Sequence, residues 1–171
     1  MKKIVLCITA AIFCLAFNSC IKKSDDCTYT ELNIKAPEAE VTKIEEYLDS
    51  KNLTATKDNA GFYYIIQDTG TGKSPDVCSI ISVKYTGTLA NDSIFDKTTG
   101  DPANFRLGQL IAGWQKGLPH IKIGGKMKLF IPPSLGYGYQ DVTRPDNQGN
   151  TIVVVPANSM LIFDLELVSV H

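Results

Sequence analysis

Six aromatic residues are the groups best placed to do chemistry: Tyr85, Phe95, Phe105, Trp114, Tyr137 and Phe163. Three of them sit beside glycines, in YTG (85–87), IAGW (111–114) and LGYGY (135–139), where the backbone is free to adopt unusual angles. Such a set either fills an ordinary core or lines a pocket that excludes water. Trp114, the only tryptophan, lies in LIAGWQKGL (110–118) and is either core filler or a pocket floor beside a wall thinned at Gly113. Other chemistries find little footing. The two histidines, His120 between Pro119 and Ile121 and His171 at the terminus, sit in no nucleophile setting. No His/Cys/carboxylate group has ligand spacing, and GTG at 70–72 is a turn rather than a phosphate cradle, so neither metal nor cofactor is expected.

The elements that must hold these rings are legible from periodicity. FYYIIQ (62–67) is β-branched and aromatic, and DTGTGKSPD (68–76) is turn chemistry. IISVKYTGTL (80–89) places Ile81, Val83 and Tyr85 on one face, and GKMKLFI (125–131) alternates lysines with Met127, Leu129 and Ile131. MLIFDLELVSV (160–170) sets Leu161, Phe163, Leu165 and Leu167 against Asp164 and Glu166. Four or five half-buried strands with one short helix near 112–118 predict an α+β domain. In it an antiparallel sheet carries that helix on its apolar face, with Trp114 toward the sheet. Upstream, APEAEVTKIEEYLDSKN (36–52) predicts one N-terminal surface helix. Pro37 opens it, Glu38 and Glu40 suit its positive end, and Val41, Ile44 and Leu48 share one face. One such helix offers little apolar surface for pairing, so a monomer is expected.

At 171 residues and 44 % hydrophobic composition the chain can bury one real core with an appendage. Its net charge of −1, with no basic face, argues against nucleic acid as a partner. MKK followed by IVLCITAAIFCLAF (4–17) is too short an apolar run to span a bilayer, which takes about 20 residues, but suits a secretory signal. NSC (18–20) resembles a bacterial lipoprotein signal in which Cys20 is acylated; the alternative is an ordinary secretory peptide cut nearby. The expected organisation is a signal at 1–19, a tether at 20–35, a helix and lead-in at 36–60, and the main domain at 61–171. That places the chain in the cell envelope, lipid-anchored and facing the periplasm or the surface. Cys27 and Cys78 remain as an even pair in an oxidising compartment, either disulfide-bonded or as two buried thiols.

Four segments together carry a family resemblance: VKYTGTLANDSIFD (83–96), FRLGQLIAGWQKGL (105–118), GGKMKLFIPPSLGYG (124–138) and VPANSMLIFDLEL (155–167). They resemble, in order, the FKBP-type peptidyl-prolyl cis-trans isomerases over roughly 61–170. The resemblance implies a bent antiparallel β-sheet wrapped around one short α-helix, and it makes Trp114 a pocket floor. It implies catalytic roles for Asp96, Tyr85 and Tyr137, with Asp96 beside the prolyl amide. It also implies a substrate-binding wall of Phe95, Phe105, Leu110, Ile111, Val155 and Phe163, in which the Ile111 backbone N–H binds a carbonyl. The implied partners are proline-containing polypeptides and macrolide ligands of the pocket. The implied activity is X–Pro isomerisation, with a non-catalytic proline-binding chaperone as the alternative.

Three departures from the family pattern shape what to look for. KTTGDPANF (97–105) lacks the arginine that often pairs with the Asp96 carboxylate, so Asp96 is expected to lean on the Tyr85 hydroxyl. Ala103 stands where an aromatic is frequent and opens one wall. The stretch 139–154 is long, reads as a small hairpin, and is expected to overhang the pocket mouth.

Overall fold

The structure is a computed structural model and describes residues 27–171. The signal at 1–19 and the acylated Cys20 lie outside the described residues. Residues 27–36 run as an irregular arm, tied by a disulfide between Cys27 and Cys78. Pro37 then caps helix α1 (Glu38–Ser50), whose first turn carries Glu38 and Glu40 and whose buried stripe is Val41, Ile44 and Leu48. The helix is two residues shorter at each end than the sequence suggests, because Pro37 stands outside as the cap and Lys51 closes the last turn.

Nine strands follow, against the four or five expected. They are β1 (Thr56–Lys57), β2 (Tyr63–Asp68), β3 (Ile80–Leu89), β4 (Ile94–Lys97), β5 (Ala103–Arg106), β6 (Lys126–Ile131), β7 (Val142–Pro145), β8 (Thr151–Val155) and β9 (Leu161–Val170). Helix α2 (Ala112–Gly117) falls between β5 and β6. Seven strands form one antiparallel sheet in the order β1-β2-β6-β9-β3-β4, with β5 also on β3, while β7 and β8 pair as a separate hairpin. The sheet takes in Thr56 and Lys57, upstream of residue 61.

The bend of the sheet is written into β3. Its first half pairs with β5, from Ile80 opposite Arg106 to Val83 opposite Ala103. Its second half pairs with β4, from Thr86 opposite Lys97 to Thr88 opposite Ile94. Between the two, Thr98 clasps Tyr85: its backbone N–H reaches the Tyr85 carbonyl at 3.0 Å, and its hydroxyl accepts the Tyr85 N–H at 3.0 Å. Tyr85 thus sits where the sheet changes partner.

Alternation splits the sheet into two apolar faces. Ile81, Val83, Leu129, Ile131, Leu161, Phe163 and Leu165 join Trp114 and Leu118 in the main core. Phe130 and Ile162, one residue out of phase, join Tyr63 and the buried stripe of α1 on the other face. Both faces being covered explains why KMKLFI ends, and MLIFDL begins, in a continuous apolar run rather than strict alternation.

Candidate active site

Two glycines let α2 lie flat on β6. A Cβ at Gly113 would stand 2.6 Å from the Ile131 side chain, and one at Gly117 2.8 Å from that of Leu129. Gly113 therefore thins the side of the helix that meets the sheet, and Trp114 beside it is carried close to the β3 and β9 rings. Gly113→Ala is expected to cost about 1–3 kcal/mol through overpacking against Ile131. Denaturant midpoints of Gly113→Ala, alone and combined with Ile131→Val, check this, and the second change should recover part of the loss.

Trp114 is only 4 % exposed. Its ring meets Tyr85 at 5.3 Å and Phe163 at 5.1 Å, both edge-on, and Phe105 edge-on at 6.2 Å. Phe163 in turn holds Phe95 edge-on at 5.5 Å. Such edge-to-face contacts add about 0.5–1.5 kcal/mol each beyond area burial. Gly87 makes room for them, since a Cβ there would fall 2.6 Å from Phe95 and 2.9 Å from Phe163.

Above this floor lies a pocket of about 200 Å³ lined by Tyr85, Asp96, Phe105, Gln109, Leu110, Ile111, Trp114, Tyr137 and Phe163. That is smaller than the roughly 300–1,000 Å³ of sites for whole drug-sized ligands, and it suits one ring and its neighbours. Eight of the ten expected substrate and catalytic residues meet there. Phe95 and Val155 do not line it. Val155, 2 % exposed at the end of β8, faces the main core, and Phe95 stands behind Phe163 and Tyr137 as their support. No residue of 139–154 lines the pocket either. That stretch folds on itself as the β7–β8 hairpin, with Val142 tucked against the core and Ile152 and Val153 turned to solvent.

Asp96 is exposed and takes two hydrogen bonds. The Tyr85 hydroxyl donates to its Oδ2 at 2.6 Å and the Lys97 N–H to its Oδ1 at 2.9 Å. The Tyr85 hydroxyl is thus the side chain that holds Asp96, as expected in the absence of the arginine. Burial, then the bond to Asp96, push the Tyr85 phenol far above its ordinary value; burial and the Asp96 charge also raise that of Tyr137. Both hydroxyls therefore stay protonated and able to donate across neutral and mildly alkaline pH. A raised folded value means the native state holds its proton when the unfolded chain releases it. The contribution is full below about pH 10, the unfolded tyrosine value, and falls as pH rises beyond it. Denaturant midpoints are expected to hold level to about pH 9 and drop above about pH 10.

Two residues escaped the sequence reading. Gln115, buried on α2, donates from Nε2 to the carbonyls of Leu110 at 2.8 Å and Gly108 at 3.2 Å, fixing the turn that carries the pocket wall. Gln109 lines the pocket itself. Neither has a local sequence signal, since Gln109 looks like an ordinary helix-flanking glutamine and Gln115 like an ordinary helical one.

A bent antiparallel sheet closed over one short helix, with an aromatic pocket where they meet, marks the FKBP-like class of fold. The chain belongs to the FKBP-type peptidyl-prolyl cis-trans isomerase family, whose sequence profile matches residues 72–168. It is 38 % identical over 128 residues to the FKBP-type peptidyl-prolyl cis-trans isomerase FkpA of Escherichia coli strain K12, a match covering 74 % of this chain and 43 % of that one. The crystal structure of Escherichia coli FkpA superposes with a TM-score of 0.62 at 37 % identity, covering 78 % of this chain and 58 % of that one. A peptidyl-prolyl cis-trans isomerase structure from Pseudomonas syringae pv. tomato gives a TM-score of 0.62 at 27 % identity, covering 80 % and 97 %. The chain spans about half the length of the curated relatives it matches.

Proposed function

We propose that this chain is a peptidyl-prolyl cis-trans isomerase acting on X–Pro bonds of exported proteins. The observation that carries the reading is the pocket itself: an aromatic floor on Trp114 with the Tyr85–Asp96 pair and Tyr137 at its rim. Rotation about an X–Pro amide meets a barrier of about 18–20 kcal/mol because amide resonance must be broken. No covalent bond is made or cut, so the site needs no nucleophile. An apolar wall strips water from the planar, charge-separated amide and favours the twisted form, in which that charge separation is lost. Lowering the barrier by about 5.5 kcal/mol would give 10⁴-fold acceleration.

The roles divide by element. Trp114 and Phe163 seat the proline ring, while Phe105 and Leu110 close its sides. The Ile111 N–H and the Tyr137 hydroxyl hold carbonyls of the peptide. Asp96, oriented by Tyr85, faces the prolyl amide. Asp96→Ala is expected to lower kcat/KM about 10- to 100-fold, as loss of a charged partner does, and Tyr137→Phe about three- to tenfold. A protease-free cis–trans assay with peptide affinities checks both. Unchanged turnover and affinity in both variants would overturn these roles.

The setting completes the proposal. A signal at 1–19 exports the chain and acylation of Cys20 anchors it in the envelope, as a monomer facing exported clients. No helix among the described residues is long and apolar enough to cross a membrane. Mass spectrometry of the mature N-terminus, with Cys20→Ala as control, tests the anchor. A macrolide ligand is expected to compete with peptide for the pocket.

A further inference from the structure

Tyr137 is 42 % exposed and, besides lining the pocket, meets Phe95 edge-on at 6.3 Å. So open a setting leaves the direction of its hydroxyl to the backbone that carries it. That backbone, from Pro133 to Tyr139, is drawn in on itself. The Pro133 carbonyl accepts the Gly136 N–H at 2.9 Å and the Gly138 N–H at 2.8 Å, and the Asn158 N–H holds the Gly138 carbonyl at 3.0 Å. The segment opens with a short 3-10 turn over Pro133–Leu135. Pro133 has no N–H, so the Ser134 N–H is the first donor of that turn and has no acceptor within it.

The acceptor comes from α1, outside the stretch that matches the family profile. Glu40, half-buried in the first turn of that helix, takes the Ser134 N–H on Oε2 at 2.9 Å. Its other oxygen, Oε1, takes the Tyr139 hydroxyl at 2.9 Å. That bond raises the Tyr139 phenol above its ordinary value and keeps it a donor. One carboxylate therefore grips the segment on both sides of Tyr137. Hydrogen bonds to an ionised acceptor are shorter and stronger than neutral ones, so the grip is firm for its size. The helix that supplies it is itself fixed, because Val41, Ile44 and Leu48 are buried with Phe130 and Ile162 on the sheet face opposite the main core. A rim residue of the pocket is thus tied to the second core.

We propose that Glu40 is a positioning residue for the reaction, holding Tyr137 with its hydroxyl turned to the peptide. The inference rests on the isomerase reading. It is tested by a double-mutant cycle of Glu40→Ala with Tyr137→Phe, in kcat, KM and kcat/KM for a short X–Pro peptide. Glu40→Ala is expected to lower kcat/KM about three- to fivefold, with the split between kcat and KM that Tyr137→Phe shows. In the Tyr137→Phe background it should cost nothing more, since the hydroxyl it positions is gone. Glu40→Gln keeps a polar group toward both partners and should recover most of the loss. Wild-type kinetics in Glu40→Ala, or a double variant that loses the product of the two single effects, would overturn the proposal. Should Glu40→Ala fail to fold, Tyr139→Phe takes its place in the cycle, with a loss of about twofold that again vanishes beside Tyr137→Phe. Should the wild-type chain speed no peptide at all, the isomerase reading fails, and NMR still decides whether Glu40 holds Tyr137. In Glu40→Ala the Tyr137 ring signals should shift while the Trp114 indole signal stays; unmoved Tyr137 signals overturn it.

Discussion

Trp114→Ala is expected to destabilise the chain by about 3–5 kcal/mol, the usual range for removing a buried aromatic from a core that cannot collapse. The site cannot collapse because α2 is already as close to β6 as Gly113 and Gly117 allow, and the rings of Tyr85 and Phe163 both stand edge-on to the indole. Against a typical total of about 5–15 kcal/mol that loss is large. Peptide binding should vanish with it, since the floor of the pocket is gone. Urea titration followed by circular dichroism is the right probe, because the variant removes the only tryptophan. Trp114→Phe should recover much of the stability with weakened peptide affinity, separating the structural role of the ring from its role as floor.

Opening the Cys27–Cys78 disulfide is the second large effect. The two cysteines are 51 residues apart, and closing so long a loop in the unfolded chain is worth about 3–4 kcal/mol on the chain-entropy account. The paired Cys27→Ser, Cys78→Ser variant should lose that amount in urea, and reduction of the wild-type chain should match it. The paired variant should not respond to reductant. A loss below about 1 kcal/mol would mean that the arm holds to β5 and the turn after it without the covalent tie.

What the sequence made legible follows from where its signals are local. The long strands β3, β6 and β9 alternate over enough residues to be read directly, and α1 announces itself through Pro37 and the Val41, Ile44, Leu48 spacing. β4 and β5, four residues each, carry no such signal; they are strands because β3 offers each half of its edge a partner. The same holds at the site. Resemblance placed Tyr85, Asp96, Trp114 and Tyr137 together, and the missing arginine pointed to the Tyr85–Asp96 bond that the structure contains. It could not tell depth, so Phe95 and Val155, expected on the wall, stand behind it. Nor could it find the bonds from Ser134 and Tyr139 to Glu40, which join residues 94 and 99 positions apart.

Exchange NMR on short X–Pro peptides, with and without catalytic amounts of the chain, tests the central claim most directly. The pocket geometry calls for cis–trans exchange faster by orders of magnitude than the uncatalysed process of tens to hundreds of seconds, and abolished by a macrolide that fills the pocket. Peptide that binds the pocket with no faster exchange would contradict it, and would make the same aromatic floor a holder of proline segments rather than a catalyst.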